Sequence, residues 1–168
     1  MNKKNSWNGI LIIDEFIVHR QNKIIYKENN IKNIFHSNGQ FYFLKILFKH
    51  LNAPNNYYLG LDNRNVLSLE DTLESLEGEP IGKGYIRQGI SANNFDVNLN
   101  PNGNYRVVGP TITFNATTNS WGPVKNIFLT NAASGTSGYL VSSARLAEEI
   151  TLNPPDSATL KFAFAFSN

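Results

Sequence analysis

The chain contains no cysteine, which excludes disulfide bonds, thiolate nucleophiles and Cys-based zinc sites together. Stability therefore rests on packing or on assembly. Excess charge is scarce as well: the formal net charge is +2, too mild for specific nucleic-acid binding, which concentrates Lys and Arg on one face. No run approaches the roughly 18 apolar residues that cross a bilayer, and Met1 to Gly9 lacks an apolar signal core. The expectation is a protein made in the cytoplasm with no membrane contact. The three histidines, His19, His36 and His50, stand too far apart for a helical zinc motif, and neither a metal nor a cofactor is expected.

What is present suits a strand-rich globular protein: 41% hydrophobic residues, with eleven Phe and seven Tyr among 168 residues. The charge is uneven. Residues 1–50 carry eight Lys/Arg against three Asp/Glu, a local +5, and residues 51–100 carry three against seven, a local −4. Such patches can pair between subunits, and a solvated surface explains them equally well.

Hydrophobic periodicity organises the chain. ILIIDEFIV (10–18) and KIIY (23–26) flank a polar His19 to Asn22 and predict a hairpin of short strands. Phe41, Leu44, Leu47, Phe48 and Leu51 recur at helical spacing after a Ser37 or Asn38 cap, and Phe43 and Ile46 widen the apolar face. That helix is expected to be buried on more than one side or against a partner. YYLGL (57–61) predicts a central strand, and Ser68 with Asp71 a capping box opening one or two helical turns. From Tyr85 onward, strand-like runs and turns alternate at sandwich or barrel spacing, with Pro101 to Asn104 as one turn. In the last strand Phe162, Phe164 and Phe166 line one face and small or polar residues the other. Gly122-Pro123 is expected to break a strand just after Trp121 and to fix the indole near a sheet edge or corner.

The fold class predicted is therefore mainly β, an antiparallel β-sandwich of jelly-roll or immunoglobulin-like type, with an N-terminal hairpin and one helix. The division expected is an N-terminal hairpin and helix, residues 1–56, packed on or docking a sandwich domain of residues 57–168.

Motifs for chemistry fail on spacing. Gly78 and Gly82 have three residues between them where a phosphate loop needs four, and Lys83 is followed by Gly84 in place of Ser or Thr. Gly-Thr-Ser-Gly at 135–138 lacks the nucleophile elbow pattern. The carboxylate pairs Asp14-Glu15, Glu77/Glu79 and Glu148-Glu149 sit in or beside turns, where solvated acids are common. No catalytic residue is assigned, and no enzyme activity is expected. Tyr57, Tyr58, Tyr85, Tyr105 and Tyr139 are candidates for stacking sugars or bases and equally for core packing.

Read in order, YYLGLDNR (57–64), DTLESLEGEPIGKGYIRQGIS (71–91), VVGPTITFNATTNSWGPVKNIFLTN (107–131), SGYLVSSARL (137–146) and the closing Phe-rich strand resemble a family of tailed-phage structural proteins. Trp7 to Leu51 resembles that group's N-terminal part. The family carries a Glu-Pro-x-Gly-x-Gly-Tyr-x-Arg loop, matched here by Glu79, Pro80, Gly82, Gly84, Tyr85 and Arg87. One departure stands out: Asn153-Pro154-Pro155-Asp156 replaces the family's Gly-Asp turn before the last strand. The resemblance implies a β-sandwich building block of a head, neck or tail. Its partners would be other virion proteins and further copies of itself, its location the virion after synthesis in the host bacterial cytoplasm.

In the 78–87 loop, Glu79 and Arg87 are placed to close an ion pair around the rigid Pro80 while Tyr85 plugs into the sandwich. Phe41, Leu44, Phe48 and Trp121 are the candidate interface residues. The other reading of the chain is a carbohydrate- or receptor-binding module on the particle surface, in which exposed tyrosines, Trp121 and Asn-rich loops make the contacts. The position of the aromatic rings, inside or around a groove, separates the two.

Overall fold

A computed structural model describes residues 8–31, 33–99 and 103–167. Trp7 and residues 101–102 of the expected turn lie outside the described residues, as does the side chain of Phe166.

The chain is an antiparallel two-sheet sandwich, as its strand periodicity predicts. Strands β1 (Asn8–Arg20) and β2 (Lys23–Ile31) form the hairpin and are long, contrary to the expectation of short ones. Only Gln21 and Asn22 make the turn, both at positive φ, the backbone that lets a two-residue turn follow the twist of its strands. A bulge between Ile13 and Glu15 shifts the register of β1. Because of it Leu11, Ile13, Phe16 and Val18 are all buried, although strict alternation would turn the second pair to the other face.

After β3 (Asn33–Phe35) comes α1 (Ser37–Phe48), then β4 (Asn56–Asp62), β5 (Gln88–Ser91), β6 (Asp96–Leu99), β7 (Tyr105–Val108), β8 (Ile112–Asn115), β9 (Trp121–Thr130), β10 (Leu140–Leu152) and β11 (Ser157–Ser167). One sheet runs β2-β1-β11-β7-β6, with β8 also paired to β11, and the other β3-β10-β9-β4-β5. The closing strand β11 takes β1 along one edge; along the other it takes β8 at Ser157–Leu160 and β7 at Ala163–Ala165.

Several expectations need correction. The boundary at residue 56 does not separate a hairpin from a sandwich, because β1 lies in the middle of the first sheet between β2 and β11. Strand β9 runs through the cis Gly122-Pro123 peptide and is not broken there. The complete capping box belongs to Thr72 and Ser75, around a single 3-10 turn at Leu73–Ser75; Ser68 and Asp71 make half of one just before it, where Ser68 N donates to Asp71 Oδ2 at 3.0 Å and closes a turn that does not open a helix. Neither Ser37 nor Asn38 caps α1; the N-cap is His36, without a side-chain cap bond. The face of β11 opposite its phenylalanines is small or polar, as expected, with Ala163 and Ala165 buried and Lys161 exposed.

The turn at Asn153-Pro154-Pro155-Asp156 is closed by its own aspartate. Asn153 N donates to Asp156 Oδ2 at 2.8 Å, and Arg20 forks onto the same carboxylate at 2.8 and 2.7 Å. The carboxyl is buried, and the Arg20 hydrogen bonds hold it below the usual carboxylate range.

Candidate docking surface

Helix α1 sits on β10 through its smallest residue. A Cβ at Gly39 would lie 2.3 Å from the Val141 carbonyl oxygen, so only glycine allows the backbones this close. Asn38 Oδ1 accepts from Leu140 N at 2.8 Å, and the Tyr42 ring stacks on Tyr139 at 4.5 Å. The buried side of α1 is thus Gly39 and Tyr42, with Phe43 and Ile46 half-covered.

The opposite side is the stripe the spacing singled out, and it faces solvent. Phe41 is 54% exposed, Leu44 55%, Leu47 66% and Phe48 73%. Burial of this face on more than one side within the chain is therefore corrected: the heptad-like spacing is real, but the helix rests on the opposite 39/42/43/46 face. Lys45 Nζ lies 4.8 Å from the Phe41 ring centre, along the flank of the stripe.

Beside the helix a groove of about 390 Å³ opens, lined by Phe43, Ile46, Leu47, Pro54, Tyr57, Phe95 and Phe164, with Val107 and Leu129, all apolar. Phe43 and Phe164 touch at 5.3 Å between centroids and both meet Phe35. Burial, first, and the neighbouring Tyr42 push the Tyr57 phenol up to about 12, in keeping with an apolar wall. The fourth candidate interface residue does not belong here. Trp121 is 2% exposed, packs on Tyr85 at 5.4 Å, and donates its indole N–H to the Lys83 carbonyl at 2.8 Å.

That carbonyl belongs to the loop from Gly78 to Arg87. Arg87 grips Glu79 through two 2.8 Å bonds, from Nε to Oε1 and from Nη2 to Oε2, and donates to the carbonyls of Ala132 at 3.0 Å and Gly135 at 2.9 Å. Both side chains are more than nine-tenths buried. Tyr85 enters the interior, accepts from Leu61 N at 2.8 Å, and stacks on Phe114. Burial, then the Glu79 charge, keeps its phenol protonated far above the ordinary range. Gly78, Gly82 and Gly84 all take positive φ, which a side chain at these turns would strain. Pro80 is buried between them, and Lys83 is exposed.

The sequence reading missed a second polar cluster. Arg64 binds Asp62 through Nε at 3.0 Å and Nη2 at 2.9 Å, reaches Asp71 at 2.8 Å through Nη1, and donates to Ser143 Oγ at 2.8 Å. Ser143 Oγ also lies 2.8 Å from His36 Nε2, and His36 Nδ1 lies 2.8 Å from the Ser68 carbonyl. The carbonyl only accepts, so Nδ1 carries the proton and Nε2 accepts from Ser143. Burial lowers the His36 pKa, and the Arg64 charge adds to this, so the ring is neutral at pH 7. The Ser143–His36 pair has the spacing of a base-activated nucleophile, but both residues are 0% exposed and Arg64 occupies the same oxygen. The arrangement ties β10 to the 62–71 segment. One signal for it was legible: Asp62 and Arg64, two residues apart at the end of an apolar strand, fall on the same side.

No family model matches the chain, and neither a curated protein nor a solved structure does. Among the described residues, no group of His, Asp or Glu could hold a metal ion, and no helix is long and apolar enough to cross a membrane.

Proposed function

We propose that this chain is a structural subunit of a tailed-phage particle, acting without chemistry of its own by self-association and by docking on neighbouring capsid, neck or tail proteins. The observation that carries the reading is the outer face of α1, where four large apolar side chains lie more than half exposed next to an apolar groove. A face of this kind is stable in water when something covers it. The order of motifs from Tyr57 to the Phe-rich last strand supports the same reading.

The carbohydrate- or receptor-binding alternative needs outward aromatic rings around a polar groove. Trp121 and Tyr85 are buried, Tyr57, Tyr58 and Tyr139 half-buried, and Tyr105 alone of the candidates is largely exposed, at 71%. This distribution favours assembly. The test is mass spectrometry of purified particles after dissociation into head and tail fractions. A fixed copy number in one fraction is expected, and absence from washed particles would overturn the proposal.

A further inference from the structure

We infer that α1 is the contact through which two copies of this chain pair, with the helices antiparallel about a two-fold axis. The inference rests on the reading of the chain as an assembling subunit and adds the partner, a second copy, and its orientation. It starts from the distribution of charge around the exposed stripe. The helix itself holds no acidic residue; its cations, Lys45 and then Lys49, lie at its C-terminal end. At the other end Ser37 Oγ donates to the Glu70 carboxylate at 2.9 Å, and Ser37 N donates to the Leu69 carbonyl at 2.8 Å. The acid is thereby held against the helix N-terminus, beside a Leu69 that is 48% exposed.

Twelve residues at 1.5 Å each put roughly 18 Å between these ends. Phe41, Leu44 and Phe48, at i, i+3 and i+7, form the apolar line between them. Among the described residues, neither Lys45, Lys49 nor Glu70 has an oppositely charged partner within the chain. An apolar line with a base at one end and an acid at the other complements itself in one orientation. With the helices antiparallel, the Lys45/Lys49 end of each copy meets Glu70 of the other, and the contact forms twice. With the helices parallel, lysine meets lysine and acid meets acid. The opposed helix dipoles favour the antiparallel arrangement as well.

The test is sedimentation equilibrium on the full chain up to about 500 µM, a range that resolves Kd values from micromolar upward. The wild type is expected to populate dimer. Lys45→Glu with Lys49→Glu, and separately Glu70→Lys, are each expected to weaken it about tenfold or more, since each places like charges at both ends of the contact. Mixed in equal amounts, the two variants regain dimer, because opposite charges face each other again at both ends; that recovery excludes misfolding as the cause of the loss. Three results overturn the inference: a monomeric wild type, a dimer indifferent to both reversals, or reversals that weaken it without recovery on mixing. A monomeric protein that is nevertheless present in particles overturns this pairing and leaves the subunit reading standing. A charge-sensitive dimer absent from particles supports the pairing and overturns the subunit reading.

Discussion

Two regions of the molecule depart from the rule of apolar inside and charged outside, in opposite directions. Around Asp62 and Arg64 the chain buries charge; along Phe41, Leu44 and Phe48 it exposes apolar surface. The buried charges are satisfied within the chain, since Asp62 accepts from Arg64 and Asn126, and Arg64 spreads over Asp62, Asp71 and Ser143. The apolar stripe is covered far less: Phe41 meets Tyr139 at 6.3 Å and Lys45 Nζ at 4.8 Å, yet Phe41, Leu44 and Phe48 each stay more than half exposed. The difference separates an interior device, which costs nothing further once folded, from a surface whose partner lies outside the chain.

The largest effects should come from breaking the interior device. Arg64→Met leaves Asp62 buried at 1% exposure without its cation, and a loss of about 3–5 kcal/mol is expected in urea denaturation. Arg87→Ala, which unpairs Glu79 and two carbonyls, should cost roughly 3 kcal/mol by the same measurement. Lys83→Ala should change stability by less than about 0.5 kcal/mol, because the loop uses the Lys83 carbonyl and not its side chain.

Between the two regions lies the seat of the helix. Gly39→Ala drives a methyl into the Val141 backbone and should lower stability by about 1–3 kcal/mol, with α1 loosened first in hydrogen exchange.

Protonation tests the interior more gently. The folded-state pKa of His36 lies below its ordinary value of 6.5, so the unfolded chain binds the proton more readily. Stability is then full above pH 6.5 and falls as the pH drops from there toward the folded pKa. His36→Gln should remove that limb of the pH profile. A second loss belongs to Asp156, whose lowered pKa makes its contribution disappear below its ordinary 3.8.

The smallest stability change is expected on the outer face. Phe48, at 73% exposure, tolerates Asp with a change within about 0.5 kcal/mol in dilute monomer. Were the same residue buried, the charge would cost several kcal/mol. A large loss for Phe48→Asp in dilute solution would mean that the stripe belongs to the interior after all, and the contrast between the regions would collapse.

Much of the fold was legible because it depends on local pattern. The β-branched runs, their turn residues and the amphipathic helix all appear at short sequence separation, as does the Glu79–Arg87 pair, whose partners stand eight residues apart around Pro80 and two glycines. Within the second polar cluster only the Asp62–Arg64 spacing is local; the link between His36 and Ser143 across 107 positions has no local signature, and neither residue is unusual in its own neighbourhood. The β1 bulge was hidden for a related reason: LIIDEF reads as continuous strand, and only pairing with β11 reveals which residue is extra.

The sequence by itself determined the class of protein. With no cysteine, little net charge and alternating aromatic strands, it had to be a packed β structure held by burial. Which face of α1 meets the sandwich was decided only by tertiary structure. Helical spacing marks an apolar stripe but does not say what covers it, and here the backbone contact at Gly39 and the stacking of Tyr42 on Tyr139 turned the most regular stripe, Phe41, Leu44 and Phe48, outward.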